Sequence, residues 1–349
     1  MYNLDTYCGA YNKNPNIKFL GNNIFDNIDM IKNSLYIESF KYPSKCYITH
    51  TTKNYIETTF GLIYSILNNS KYSIIVFTVN FDINEIEDNP FIENNRVKFH
   101  KYTNPNITSE GKLFESGFGQ YVDRNDDSIF QILTLKPKIL LEAFELGIDE
   151  GVYLDSDLIC RKNIDDLMDY TSKVYKFPLL PRGVYDILFD ENGNGDIERP
   201  LMTHLGVKER SMQYVQSNII VFSRNCIDFI KDWHYTCLSP DIINNWKKWT
   251  PYHEETIINV LFWKYKNTEL LPMCFMNIRN KRFVEEFQKF DDTDKSKYHE
   301  GMQGFPFYID GEQMTFTYIP WNKQDIKAFH GVKDLKQIKE IIEMEKNYE

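Results

Sequence analysis

Residues 135–167 read "LKPKILLEAFELGIDEGVYLDSDLICRKNIDDL", and this stretch decides the fold. Proline is tolerated in the first turn of a helix, so Pro137 predicts that a helix begins near Lys136 or at Pro137 itself. Gly147 follows the apolar positions and is a natural helix stop. The apolar side chains recur with helical spacing and should form one buried stripe: Ile139, Leu140, Ala143 and Phe144.

The helix is followed at once by "GVYLDSDL", residues 151–158, which reads as a buried strand that ends in two acidic residues. In an extended segment Asp155 and Asp157 would point to the same side, where their charges repel. Acidic triplets are common on protein surfaces, but this one lies between two apolar runs and so needs a cation, a proton or a strong donor nearby. Carboxylates suit Mg²⁺ or Mn²⁺, and such an ion can also hold a diphosphate.

Strands and helices alternate along the rest of the chain. Regular structure is predicted to start at Lys45. Predicted strands are "CYITHTT", "YSIIVFTV", "RVKFHKY" and "YVQSNIIVFSR", and predicted helices are "YIETTFGLIYSILNNS", "CIDFIKDWHYTCL", "YHEETIINVLFWKY" and the C-terminal segment. This order predicts an α/β domain whose central sheet is mixed but mostly parallel, with helices on both faces. The sequence also predicts a hairpin around Asp310 and Gly311. The turn-rich segment from Pro181 to Ser211 is either an acceptor-binding loop or an ordinary surface insertion.

The composition excludes several classes of function. The 349 residues carry a formal net charge of −10, which argues against non-specific binding to nucleic acid or to an anionic membrane. The six cysteines are scattered, the first residues do not resemble a signal peptide, and no apolar run is long enough to span a bilayer. We therefore expect a cytoplasmic protein with an extension over residues 1–44, one domain over residues 45–335 and a helical tail over residues 336–349.

The stretch from residue 135 to residue 167 resembles the core of metal-dependent glycosyltransferases with the GT-A fold, and most closely the glycogenin-like and bacterial galactosyltransferase-like retaining family. Further motifs follow in the family's order. "YITHTTKNY" resembles the nucleotide-binding loop, with Thr52 in place of the usual aspartate. "YVQSNIIVFSR" resembles a strand in which the family has asparagine and glycine where this chain has Gln216 and Asn218. "AFHGVK" resembles the closing histidine, glycine and lysine motif.

The resemblance implies a set of binding residues. Asp155, Asp157 and His330 would bind the metal ion, with Mn²⁺ preferred over Mg²⁺ because imidazole joins the carboxylates. The nucleotide part of a UDP-sugar donor would contact six residues, with Tyr55 stacking on the base: Thr49, Asn54, Tyr55, Asp155, Ser156 and Lys333. Lys136 could point toward the diphosphate, but a lysine on the surface of its helix is the preferred interpretation.

"HEETIIN" departs from the family, because Glu254 and Glu255 stand where the family has aspartate and glutamine. Two acids at a helix start can simply be favourable partners for the helix dipole. In a site for sugar transfer, a carboxylate can also stabilise a cationic sugar, attack it, or accept a proton from the acceptor. We predict that both residues are catalytic, with Glu255 on the donor side and Glu254 toward the acceptor.

The predicted function is therefore metal-dependent transfer of a sugar, with UDP as the expected nucleotide, to a glycan or another hydroxyl acceptor. One alternative is a protein of the same fold that binds nucleotide sugars without turnover. The other is a phosphohydrolase that also places an acidic triplet after a strand, although the triplet lies unusually far along the chain for that class. The sequence leaves the sugar, the acceptor and the oligomeric state open.

Overall fold

The structure is a computed structural model, and it describes residues 42–104, 130, 132–160, 162–181, 198–210, 214–250, 252–271, 277–279, 307–309, 312–314 and 328–330. The chain divides into two compact units, residues 1–43 and residues 44–349. All the helices and strands below lie in the second unit.

The main sheet has five strands in the order β3-β2-β1-β4-β6. Its members are β1 (Lys45–Thr51), β2 (Ile74–Val79), β3 (Val97–Tyr102), β4 (Glu150–Leu154) and β6 (Ile219–Ser223). The first four strands are parallel, and β6 pairs with β4 in the antiparallel direction. Every residue of β2 is buried, which requires cover on both faces of the sheet. These observations confirm the predicted α/β fold with a mixed, mostly parallel sheet.

Seven α-helices lie within the described residues. They are α1 (Ile56–Asn69), α2 (Lys136–Glu145), α3 (Asp166–Tyr170), α4 (Arg199–His204), α5 (Ile227–Cys237), α6 (Pro240–Trp249) and α7 (His253–Lys264). Helices α1, α2, α5 and α7 coincide with predicted helices. Helix α4 is a short helix inside the segment that was expected to be a loop, and α3 and α6 were not predicted.

Helix α2 begins and ends where its sequence predicts. It starts at Lys136 with Pro137 as its second residue, and its four stripe residues are all buried. The φ angle of Gly147 is 86°, the left-handed conformation that glycine adopts readily after a helix. The chain then enters β4 at Glu150, so the helix leads directly into an inner strand of the sheet, between β1 and β6.

Two smaller sheets complete the described part of the chain. One has the order β5-β10-β7 and consists of β5 (Leu158–Cys160), β10 (Ala328–His330) and β7 (Asn277–Arg279). The other is the pair β8 (Phe307–Ile309) and β9 (Glu312–Met314), whose antiparallel pairing confirms the hairpin predicted around positions 310 and 311. The predicted C-terminal helix lies outside the described residues.

Cysteine state and membrane segments were also predicted from the sequence. Cys46, Cys160, Cys226 and Cys237 are buried free thiols, as expected, while Cys8 and Cys274 lie outside the described residues. Within the described ranges, no helix has both the length and the apolar character needed to cross a membrane.

Candidate active site

The candidate site lies where the connections of the main sheet diverge. β1 lies between β2 and β4, so the chain leaves β1 toward one edge of the sheet and leaves β4 toward the other. Such a switch point opens a crevice at the carboxyl ends of the two strands, which is where open α/β sheets bind ligands. The loop after β1 carries Asn54 and Tyr55, and the loop after β4 carries Asp155 and Asp157.

The acidic triplet forms a tight turn between β4 and β5. The backbone N–H of Leu158 donates to the carbonyl of Asp155 over 3.1 Å, and the N–H of Asp155 donates to the carbonyl of Asn218 over 2.9 Å. The side chains of Asp155 and Asp157 are 18% and 19% exposed, so both carboxylates lie at the floor of an accessible site. The turn therefore holds two acidic side chains at the end of a core strand without burying them completely.

His330 comes to the same place from the far end of the chain. β10 pairs with β5 in the register that sets His330 opposite Leu158, directly beside the acidic turn. The Nε2 atom of His330 lies 3.2 Å from Asp157 Oδ1 and 3.6 Å from Asp155 Oδ2. One ligand atom from each of these three residues lies within 4.8 Å of the others. Two carboxylates and one imidazole make a donor set that fits Mn²⁺ or a similar divalent ion.

Lys136 is buried at the bottom of the site. Its Nζ atom lies 2.9 Å from Asp155 Oδ1 and 2.8 Å from Glu254 Oε1, and it donates to the carbonyl and hydroxyl of Ser217 over 3.2 and 3.1 Å. The preferred interpretation of Lys136 as a lysine on the helix surface is therefore wrong. Because α2 begins at the carboxyl edge of the sheet, its first residue faces the crevice and the acids already there.

The ammonium of Lys136 sets the charge state of its neighbours. Burial disfavours the charged form of Asp155, but Lys136 and His330 outweigh burial and hold the pKa of this carboxyl well below its ordinary value. Burial likewise opposes the charge of Lys136, and the two carboxylates reverse that effect and raise its pKa. For Glu254, burial dominates and raises the pKa, against the opposing influence of Lys136.

Glu254 and Glu255 lie side by side at the start of α7 but have different partners. Glu254 is 4% exposed and accepts a hydrogen bond from Ser217 Oγ over 3.0 Å, in addition to its ion pair with Lys136. Glu255 is half-buried and accepts from the Tyr214 hydroxyl over 2.9 Å and from the Ser217 N–H over 3.1 Å. Through Lys136, Glu254 is the member of the pair that is linked to the acidic turn.

A second set of hydrogen-bonded polar side chains contacts Asp155 from the core. The Tyr153 hydroxyl donates to Asp155 Oδ1 over 3.1 Å and lies 2.9 Å from His50 Nδ1. Burial and the charge of Lys136 lower the pKa of His50 to about 4, so this imidazole is neutral at pH 7. Tyr153 and Lys136 thus restrain the carboxylate of Asp155 from two sides, which fixes its orientation before any ligand arrives.

The predicted nucleotide-binding residues fall into three groups. Asn54 is exposed. Burial and the nearby charges of Asp157 and Asp155 raise the pKa of the Tyr55 hydroxyl. Ser156 is half-buried at the tip of the turn. Thr49 is fully buried in the middle of β1, so the structure does not bring its side chain into the crevice. Lys333 lies outside the described residues.

The structure brings to the site three side chains that were not among the predicted site residues: Lys136, Ser217 and Asn218. Lys136 was recognisable in one respect, because a lysine in the first turn of a helix opposes the helix dipole and so needs a compensating anion. Ser217 and Asn218 lie in the segment predicted as a strand. Their positions in the sequence form no pattern that distinguishes a residue of the site from a residue packed in the core. Asn218 is 2% exposed and its Nδ2 atom lies 3.1 Å from Nδ1 of His330.

The part of the chain that contains the acidic turn also matches a known protein family. Residues 46–178 match Glycosyl transferase family 8, a segment that runs from β1 past the acidic turn. No curated protein sequence matches the chain. Among solved structures, the apo form of mouse xyloside xylosyltransferase 1 is similar, with a TM-score of 0.44 and 13% identity over 82% of this chain and 97% of that chain.

Proposed function

We propose that the chain is a glycosyltransferase of the family 8 type with the GT-A fold, and that it transfers a sugar from a UDP-linked donor to a hydroxyl of a glycan or similar acceptor; the match of residues 46–178 to Glycosyl transferase family 8 supports this proposal. The observation that carries this proposal is the convergence of Asp155, Asp157 and His330, whose ligand atoms lie within 4.8 Å of one another. They lie at the switch point of the sheet, where a nucleotide would also reach the loop after β1.

In this proposal Asp155, Asp157 and His330 hold a divalent ion, with Mn²⁺ preferred. The ion, when bound, neutralises the negative charge that develops on the departing nucleoside diphosphate. Lys136 compensates the charge of Asp155 and Glu254 in the absence of donor and favours the ionised form of each carboxyl group. The protein therefore maintains an anionic binding site for a cation without leaving several buried charges uncompensated.

Glu255 is our candidate for the residue that contacts the reacting sugar. Its carboxylate is half-buried and fixed by Tyr214 and Ser217, so it can face a bound sugar with little reorganisation. A fixed carboxylate stabilises positive charge on the anomeric carbon, and its position also allows it to accept a proton from the acceptor hydroxyl. The buried position of Glu254 fits a role in holding Lys136 better than direct contact with an acceptor.

Tyr55 and Asn54 are proposed to contact the nucleotide, with the ring of Tyr55 stacked on the base. Both lie in the loop after β1, on the other side of the crevice from the acidic turn. A donor bound between the two loops would place its diphosphate toward Asp155 and Asp157. We keep residues 45–335 as the proposed catalytic domain.

The experiment is calorimetric titration of the chain with UDP in the presence and absence of Mn²⁺. Asp157→Asn keeps the size of the side chain and removes its charge, so Mn²⁺-dependent UDP binding should be lost while thermal unfolding is unchanged. Asp166→Asn is the matched control, because Asp166 begins helix α3 and does not belong to the three-residue cluster. UDP affinity in Asp157→Asn that equals the wild-type value at saturating Mn²⁺ would overturn the metal assignment.

A second assay tests turnover. A panel of nucleotide sugars is incubated with Mn²⁺, with and without simple sugar acceptors, and release of the nucleoside diphosphate is measured. Release that increases with an acceptor supports transfer. Binding of UDP without release from any donor would instead favour a protein that binds nucleotide sugars without turnover.

A further inference from the structure

Asn218 connects the two halves of the proposed metal site. Its backbone carbonyl accepts from the N–H of Asp155 over 2.9 Å, and its side-chain Nδ2 lies 3.1 Å from Nδ1 of His330. One buried residue at the start of β6 therefore contacts both the acidic turn and β10. Its position is also a departure from the resembling family, which has glycine there and so has no side chain to make the second contact.

The direction of this hydrogen bond determines where the imidazole proton lies. An amide nitrogen only donates, so His330 Nδ1 must accept and the ring proton must be on Nε2. In this tautomer the Nε2–H group faces Asp157 Oδ1, 3.2 Å away. A protonated Nε2 cannot be a ligand, because its lone pair is used by the N–H bond. The arrangement supplies a donor to Asp157 in the absence of a metal ion but does not present an imidazole ligand to one.

The other end of the same amide is unsatisfied. Asn218 Oδ1 is buried and has no hydrogen-bond partner among the described residues. A buried carbonyl oxygen without a partner costs roughly 1–3 kcal/mol. Rotation of the amide by half a turn exchanges the donor and the acceptor within nearly the same volume. It would bring Oδ1 to Nδ1 of His330.

We propose that Asn218 is a positioning residue that selects the metal-binding tautomer of His330 by rotation of its amide. After rotation, Oδ1 accepts from Nδ1–H, and the proton on Nε2 is replaced by a lone pair directed at the site between Asp155 and Asp157. The proton moves from Nε2 to Nδ1 through solvent, so no net charge is gained or lost. This inference rests on the metal site of the proposed function and adds to it the residue that prepares one ligand.

The principle is general for metal-bound histidines, whose second nitrogen donates to an acceptor that fixes the ring and its tautomer. Here the acceptor is an amide that can also donate, so the same residue serves the site with and without the ion. Loss of such outer partners typically weakens metal affinity by about 10–100-fold.

The first test measures the affinity for Mn²⁺ alone by calorimetry on the full chain. Asn218→Ala should weaken Mn²⁺ binding about tenfold or more. Asn218→Asp supplies a permanent acceptor of nearly the same shape and should bind Mn²⁺ at least as tightly as the wild type. Asn69→Ala is the matched control, since its amide donates to the carbonyl of Cys160 in β5 and not to His330. Mn²⁺ affinity in Asn218→Ala within twofold of the wild-type value would overturn the proposal.

The second test reads the tautomer itself and does not depend on activity. In ¹⁵N-histidine NMR of the metal-free chain, His330 should carry its proton on Nε2 in the wild type and on Nδ1 in Asn218→Asp. Adding Zn²⁺, a diamagnetic ion, should move the wild-type proton to Nδ1. The His330→Gln spectrum assigns the signals. The same tautomer in the metal-free wild type and in Asn218→Asp would refute the mechanism.

The two proposals fail in different ways. If Asp157→Asn abolishes Mn²⁺ binding while Asn218→Ala does not change it, the metal site stands and only the role of Asn218 is wrong. If Asp157→Asn does not change Mn²⁺ affinity, the metal site itself is wrong, and the role of Asn218 falls with it.

Discussion

Replacement of Lys136 by methionine removes the ammonium that bridges two buried carboxylates and should cost about 3–5 kcal/mol of the free energy of unfolding at neutral pH. Methionine keeps most of the length and volume of the side chain, so the charge is the main change. Asp155 and Glu254 would remain in their buried positions without the cation that lies 2.9 and 2.8 Å away in the wild type.

The magnitude follows from these distances. With an effective dielectric constant of about 20, one unit-charge pair at such a separation is worth roughly 6 kcal/mol. Desolvation of the charges offsets several kcal/mol of that gain, since the side chains of Lys136 and Glu254 are only 4% and 5% exposed. What remains is the cost of leaving carboxylates buried and unpaired, which is the source of the expected loss.

The loss should depend on pH with a definite sign. In the wild type the folded pKa of Asp155 is depressed, so its contribution is complete above the unfolded value of about 4 and is lost only as the pH falls through the folded value. Without Lys136, burial raises the pKa of Glu254 further and only His330 still opposes burial at Asp155, so folding takes up protons as the pH falls toward 5. The difference in stability between variant and wild type should therefore be largest at pH 8 and smaller at pH 5.

Urea unfolding followed by circular dichroism at both pH values measures this difference from midpoint and slope. Lys138→Met is the control on the same helix, because the side chain of Lys138 is 30% exposed and its ion pair with Glu142, over 3.6 Å, is an i,i+4 pair near the surface. It should change stability by no more than about 0.5 kcal/mol. A cost below about 1 kcal/mol for Lys136→Met at pH 8, against the expected range for a broken buried pair, would refute this reasoning, and so would a cost that is equal at pH 8 and pH 5.

Two further sets of variants test the catalytic pair and the sheet. Glu255→Gln should lower kcat by about 100-fold or more with little change in UDP affinity. Glu254→Gln should mainly raise the KM for the donor, because it removes a partner of Lys136. Steady-state kinetics separates the two effects, and a near-normal kcat in Glu255→Gln would mean that this carboxylate has only a structural role. Gly151→Ala would place a Cβ atom 2.2 Å from the carbonyl oxygen of Cys46 in the neighbouring strand. It should destabilise the chain by about 3 kcal/mol or more, and a thermal midpoint equal to that of the wild type would contradict the close approach of β1 and β4.

The helices show what local pattern can and cannot predict. Helix α7 was predicted because Ile257, Val260 and Trp263 recur at a helical spacing, and ten of its residues are buried. Helix α6 was missed because only Ile242 and Trp246 are buried in it, and two side chains one turn apart do not establish a period. The period of apolar residues in a helix reflects which of its side chains are buried. A helix that buries few side chains therefore has no clear apolar period in its sequence.

The sequence by itself determined the order of the five strands of the main sheet and of helices α1, α2, α5 and α7, the limits of α2 and the position of the acidic turn. These features follow from interactions within a few residues: proline in a first turn, glycine after the last turn, and an apolar run that ends in charge. Only the tertiary structure decided that Lys136 is buried between Asp155 and Glu254, and that His330 and Asn218 meet beside the same turn. Such contacts depend on sheet order and strand register, which are set by packing between distant segments and have no local period to reveal them.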